Sequence, residues 1–138
     1  MYRKILVAYD GSAASKKAFE DACRLAEQSH AELFVVSVAR PPDIADDVET
    51  EAVIENSRQF HQSLLAGLQG ALAAKKLKAH FHVATGHPAE QIIYEADRHD
   101  VDLIVVGDRG RSKFARLLLG STSKQVAEHA GRPVLVVR

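Results

Sequence analysis

Gly107-Asp108-Arg109-Gly110, followed after nine residues by Gly120-Ser121-Thr122-Ser123, combine the residue types that hold phosphate. Glycine permits positive φ and a close approach of backbone to an anion, so that successive N–H groups can converge on it. Serine and threonine at the start of a helix sit beside unpaired N–H groups and the positive end of the helix dipole. The pattern comes after an apolar run, Val101-Asp102-Leu103-Ile104-Val105-Val106, and leads into a helical pattern over residues 124–130. A strand, a glycine-bearing loop and a helix N-terminus in that order predict a nucleotide site. Arg109, Arg111, Lys113 and Arg116 form a basic cluster beside it, of which one or two side chains are expected to touch ligand. Ser121 also suits a plain helix cap. Asp10, in the turn Asp10-Gly11-Ser12 after the first apolar run, is a second polar candidate; it can serve a ligand, cap the next helix, or do both.

Five short apolar runs alternating with four helical patterns must position these groups. Residues 4–9 read as a buried strand. Ser12 or Ser15 can cap the first helix, where Ala18, Phe19, Ala22, Leu25 and Ala26 recur at helical spacing. Residues 32–38 form the second strand, and Pro41-Pro42 interrupt regular structure beyond it. Residues 39–47 are irregular and are expected to act as a mobile flap. A long helix is predicted over 48–75, with Val53, Phe60, Leu64, Leu65, Leu68 and Leu72 on one side and Gly67 and Gly70 weakening it locally. Residues 78–84 alternate as a third strand. Pro88 suits a first helical position, and residues 89–98 carry Ile92, Ile93 and Ala96 inward. Residues 102–106 and 134–137 are the remaining strands. Strict alternation of this kind predicts an α/β fold: a single doubly wound unit over residues 1–138, with a five-stranded parallel sheet and helices on both faces. Ligands of such sheets bind beyond the carboxyl ends of the strands, where the strand order reverses. With the first and fourth strands adjacent, Asp10 and the Gly107 loop flank one crevice.

Composition removes other classes. A formal net charge of zero lacks the basic excess of a general nucleic-acid binder. No window approaches a membrane span, and no secretory signal pattern opens the chain, so the expected address is the cytoplasm. The one cysteine, Cys23, forms no internal disulfide, fits a reducing compartment and reads as a small core residue of the first helix. His80 and His82 point to one strand face but have no acidic or cysteine partner near in sequence, so they read as a strand face rather than a metal pair. Nothing in the sequence orients His87 as a base.

Other nucleotide motifs fail. The turn after the first strand holds one glycine where a dinucleotide fingerprint needs three, and no Gly-Lys pair exists to make a P-loop. A receiver domain would carry an aspartate after the third strand, where this chain has Thr85-Gly86-His87-Pro88.

The full pattern resembles the universal stress protein family. Its ATP-binding branch is marked by Gly, two residues, Gly, nine residues, Gly, then Ser or Thr, and Gly107, Gly110, Gly120 and Ser121 match at every position. The opening strand and turn Lys4-Ile5-Leu6-Val7-Ala8-Tyr9-Asp10-Gly11-Ser12 is similar too, as are Gly86-His87-Pro88-Ala89-Glu90, Arg116-Leu117-Leu118-Leu119-Gly120-Ser121 and Arg132-Pro133-Val134-Leu135-Val136-Val137. The resemblance implies a sheet order of 3-2-1-4-5 and ATP, with or without Mg²⁺, as ligand. It places Asp10 near the adenine or ribose and Val38 against the adenine. Gly107, Arg109 and Gly110 would line the ribose and phosphates, and Gly120, Ser121, Thr122 and Ser123 would hold the phosphates. Family members often carry histidine where this chain has Arg109. The resemblance further implies a nucleotide-responsive binding and signalling module in stress survival, paired as a homodimer through the last strand, with an unknown protein partner. Two alternatives stay open: slow ATP hydrolysis or autophosphorylation at the same site, and a nucleotide-free interaction module.

Overall fold

The computed structural model describes residues 2–40, 47–108 and 121–138, with side chains at 47–50 excepted. The proposed flap and the positions Arg109, Gly110, Arg111, Lys113, Arg116 and Gly120 thus lie outside the described residues, apart from the flap's outermost positions. The elements run β1 (Lys4–Ala8), α1 (Ala13–Ser29), β2 (Glu32–Ala39), α2 (Asp47–Leu72), β3 (Ala79–Thr85), α3 (Pro88–His99), β4 (Leu103–Gly107), α4 (Ser121–His129) and β5 (Val134–Val137). All pairings are parallel, as the alternation of elements predicts, and the order is β3-β2-β1-β4-β5, as the family resemblance implies.

Alternate residues of the central strands feed two cores. Ile5, Val7, Leu33, Val35, Leu103 and Val105 meet Ala18, Phe19 and Ala22 of α1 and Leu65 of α2. Leu6, Phe34, Val36, Ile104 and Val106 meet Ala89, Ile92 and Ala96 of α3 and Val126 of α4. Both faces of β1 and β4 are therefore covered, which explains why their sequences read as continuous apolar runs rather than alternating ones. Each such fully buried aliphatic side chain contributes roughly 1.5–3 kcal/mol.

Helix ends obey local chemistry. Ser12 caps α1, its hydroxyl accepting from the Ser15 amide at 3.2 Å. Pro88 opens α3, where its missing N–H costs nothing. Asp100, in the left-handed region with φ 52°, ends that helix and turns the chain into β4.

One expectation is corrected. Val53 and Phe60 of α2 are not on its inward side: they are 51% and 60% exposed. The inward stripe is Leu65 and Leu72, with Leu64 and Leu68 partly buried beside them. A 26-residue helix is ~39 Å long, whereas the eight-residue strand β2 beneath it spans ~26 Å, so the first half of α2 overhangs the sheet.

Candidate functional site

A cleft opens at the carboxyl ends of the strands, between β1 and β4, where the strand order reverses. It is partly open to solvent. The lining is divided by chemistry. Ala8, Val36, Val38, Ile92 and Val106 make an apolar floor; Asp10, Ser12, Ser15, Gly107 and Thr122 make a polar side. The first turns of α1, α3 and α4 all reach this space, through Ser15, Pro88 and Thr122. Helix N-termini carry partial positive charge, so the cleft combines an apolar slot with a setting that favours an anion.

The β1–α1 turn is tightly bound. The Ser12 amide donates to Asp10 Oδ1 at 2.9 Å, the Asp10 amide donates to Ser15 Oγ at 3.3 Å, and Ser15 Oγ donates to the Ser12 carbonyl at 3.0 Å. Gly11, at φ 83°, allows the bend in the left-handed region, and the Leu64 side chain of α2 packs against it. Gly107 is a glycine for a second reason besides any ligand. A Cβ there would lie 2.5 Å from the carbonyl carbon of Ala14 and 2.9 Å from the Ser15 amide nitrogen. The backbone of α1 thus rests directly on the end of β4.

Burial dominates the local titrations, and the Asp10 charge acts on two of them. Burial raises the Tyr9 phenol above its ordinary value, and the Asp10 carboxylate adds to this. Burial lowers the His61 imidazole, an effect that the same carboxylate opposes. His61, on α2, is hydrogen-bonded through Nδ1 to the fully buried Ser37 hydroxyl of β2. On the other side, Asp108 is buried directly after Gly107, and Arg138 lies 3.8 Å from its carboxylate.

The structure brings four of the sequence candidates together at the cleft: Asp10, Val38, Gly107 and Thr122. Ser121 is exposed in a groove between α3 and α4, and Ser123 is buried. Arg109, Gly110 and Gly120 lie outside the described residues. Sequence reasoning passed over Ala8, Val36, Val106, Pro88 and Ile92 as lining groups. The strand alternation that leads to Asp10 and Val38 would have found the first two, because residues two apart share a face.

His80 and His82 do share a strand face, and acidic partners reach them from other elements. Glu32 lies 3.0 Å from His80, and the buried Glu95 of α3 lies 3.3 Å from both His82 and His99. Among the described residues no three His, Cys, Asp or Glu side chains are grouped to hold a metal ion. None of the described helices is long and apolar enough to cross a membrane.

Strand order, crossover helices and cleft position define the class: a doubly wound parallel α/β protein whose cleft lies at the reversal of strand order. Within it the chain belongs to the universal stress protein family, whose model matches residues 1–138. It is 34% identical over 153 residues to universal stress protein YxiE of Bacillus subtilis, covering all of both chains. Among solved structures, universal stress protein UspA of Lactobacillus plantarum superposes with a TM-score of 0.88 at 25% identity, covering 99% of this chain and 98% of that one. A universal stress protein solved in complex with cAMP matches at TM-score 0.68 and 28% identity, covering 99% and 97%.

Proposed function

We propose that the cleft between β1 and β4 binds an adenine nucleotide, ATP in the first instance, and that the protein acts as a nucleotide-responsive binding module in stress survival. The carrying observation is the division of the lining: an apolar floor of Ala8, Val36, Val38, Ile92 and Val106 beside Asp10 and the first turns of three helices. The adenine would lie against Val38, the ribose near Asp10, and the phosphates toward Gly107, Thr122 and the residues Arg109, Gly110, Gly120, Ser121 and Ser123. The cAMP complex of a relative supports an adenine-bearing ligand. Mg²⁺, where it accompanies ATP, would be held chiefly by the phosphates, since Asp10 is the one carboxylate among the described lining residues.

Residues 1–138 are read as one such domain. Pairing of two copies through β5 is part of the same reading, because that strand is a sheet edge and Leu135 is 38% exposed on it. The buried free thiol of Cys23 fits a cytoplasmic setting.

Calorimetric titration of nucleotide-stripped protein with ATP, with and without Mg²⁺, tests the site. Saturable micromolar binding, lost in Val38→Trp and Gly110→Val, is the expected result. Absence of binding up to millimolar ATP refutes it, and steady ADP release would move the reading to slow hydrolysis. Sedimentation of the wild type beside Leu135→Lys tests the dimer, which the charge should dissociate.

A further inference from the structure

We propose that Ser15 is a positioning residue for Asp10, holding its carboxylate toward the ribose of the bound nucleotide without touching that ligand; this inference rests on the nucleotide reading above. Ser15 is 5% exposed and lies at the back of the cleft. Its one hydroxyl proton goes to the Ser12 carbonyl, and its oxygen accepts from the Asp10 amide. A hydroxyl so engaged has no proton left to give a ligand. It links instead the pieces of chain that bear the polar lining. Asp10 and Ser12 are tied to it directly, and its own amide nitrogen abuts Gly107 at the end of β4.

The helix cap does not depend on this hydroxyl. The capping bond runs from the Ser15 backbone amide to the Ser12 side chain, and alanine or cysteine at position 15 keeps it. Removing the Ser15 hydroxyl therefore spares the start of α1 and releases the Asp10 amide from its anchor. The bond from the Ser12 amide to Asp10 Oδ1 remains, but the Asp10 backbone is no longer fixed, and the carboxylate shifts with it away from the ribose hydroxyls. The consequence is selective: the protein should lose its preference for a nucleotide that carries those hydroxyls.

The readout is the ratio of dissociation constants for 2′,3′-dideoxy-ATP and ATP, measured by calorimetry. An ionised acceptor facing ribose hydroxyls should give the wild type a ratio of roughly tenfold or more. Asp10→Asn should bring it close to one. Ser15→Ala should lower it several-fold, with a lowered urea midpoint but an unchanged slope. Ser15→Cys, nearly isosteric but a weak hydrogen-bonding group, should do the same, and it serves if the alanine variant folds poorly. A full ratio in both Ser15 variants, with Asp10→Asn having abolished it, overturns the positioning role. A wild-type ratio near one also overturns it, because Asp10 then faces no ribose hydroxyl. Failure of the wild type to bind ATP at all refutes the nucleotide reading itself, and is seen before any variant is made.

Discussion

Gly107→Ala isolates what the absence of a side chain does at the end of β4. The added Cβ would stand 2.5 Å from the Ala14 carbonyl carbon and 2.6 Å from its oxygen. Carbon–carbon contacts are comfortable near 3.5 Å, so the first turn of α1 and the end of β4 must part by about 1 Å. Neither side yields cheaply. The clashing atoms belong to backbone at the start of a capped helix, and β4 is hydrogen-bonded on both flanks. Overpacking of this kind costs about 1–3 kcal/mol, and the upper half of that range is expected here because no flexible side chain can absorb the shift.

Urea unfolding of the ligand-free protein measures the cost, with the midpoint falling and the slope unchanged. For a chain of this size the drop in melting temperature should be on the order of 10 °C. Two controls sharpen the result. Gly131→Ala, where nothing lies within 4 Å of the new atom, should be close to neutral. Ala14→Gly added to Gly107→Ala should restore nothing, because the obstructing atoms are backbone and remain. A Gly107→Ala protein within about 0.5 kcal/mol of the wild type refutes the packing argument and leaves the glycine to a ligand alone.

Packing and burial elsewhere in the molecule set three further outcomes. Gly67→Ala and Gly70→Ala, both in helical α2 with open space around the new atom, should each stabilise by about 0.5–1 kcal/mol; a loss in either would contradict the helix geometry. Cys23 is 1% exposed and its thiol is pushed up to about 11, so a disulfide reagent at pH 8 should label it only as fast as the protein unfolds; rapid labelling of native protein counts against the packing described. His61 is lowered below its ordinary 6.5 by burial, so the unfolded chain takes its proton first. Its contribution is complete above pH 6.5 and shrinks as the pH falls below that value. His61→Asn, which keeps a polar partner for Ser37, should flatten this part of a plot of urea midpoint against pH; an unchanged slope would assign the titration elsewhere.

Much of this molecule was legible because its signals are local. The alternation of strands and helices needed only runs such as Leu103 to Val106 and stops such as Gly86 and Pro88. α2 shows where local signals end. Helical spacing groups Val53 with Phe60, but it cannot tell how far the sheet beneath extends, and the helix outruns β2. The partners of His80 and His82 were hidden for the same reason. Glu32 is 48 residues from His80 in the chain and beside it in the sheet, because β2 and β3 pair in register. Gly107 was legible as a glycine that matters, but not as one wedged against Ala14, since only the crossing of α1 over β4 brings the two together.

The topology fixes the position of the cleft. The chain leaves β1 through α1, which packs on one face of the sheet, and α4, coming after β4 in the chain, packs on the other. The two helices therefore begin on opposite sides of neighbouring strands, and the gap above β1 and β4 stays open. Short groups, Ala8, Ser12, Ser15, Gly107 and Thr122, line it beside Tyr9, Val38 and Ile92, while Gly107 lets α1 settle onto β4 and Ser15 ties that contact to Asp10. The feature that closes the fold at this point, a helix backbone seated on a glycine, also sets the geometry of the polar side of the cleft. Changes at Gly107 and Ser15 should therefore separate: the first acts on stability before any ligand is added, and the second shows itself in the selectivity between nucleotides with and without ribose hydroxyls.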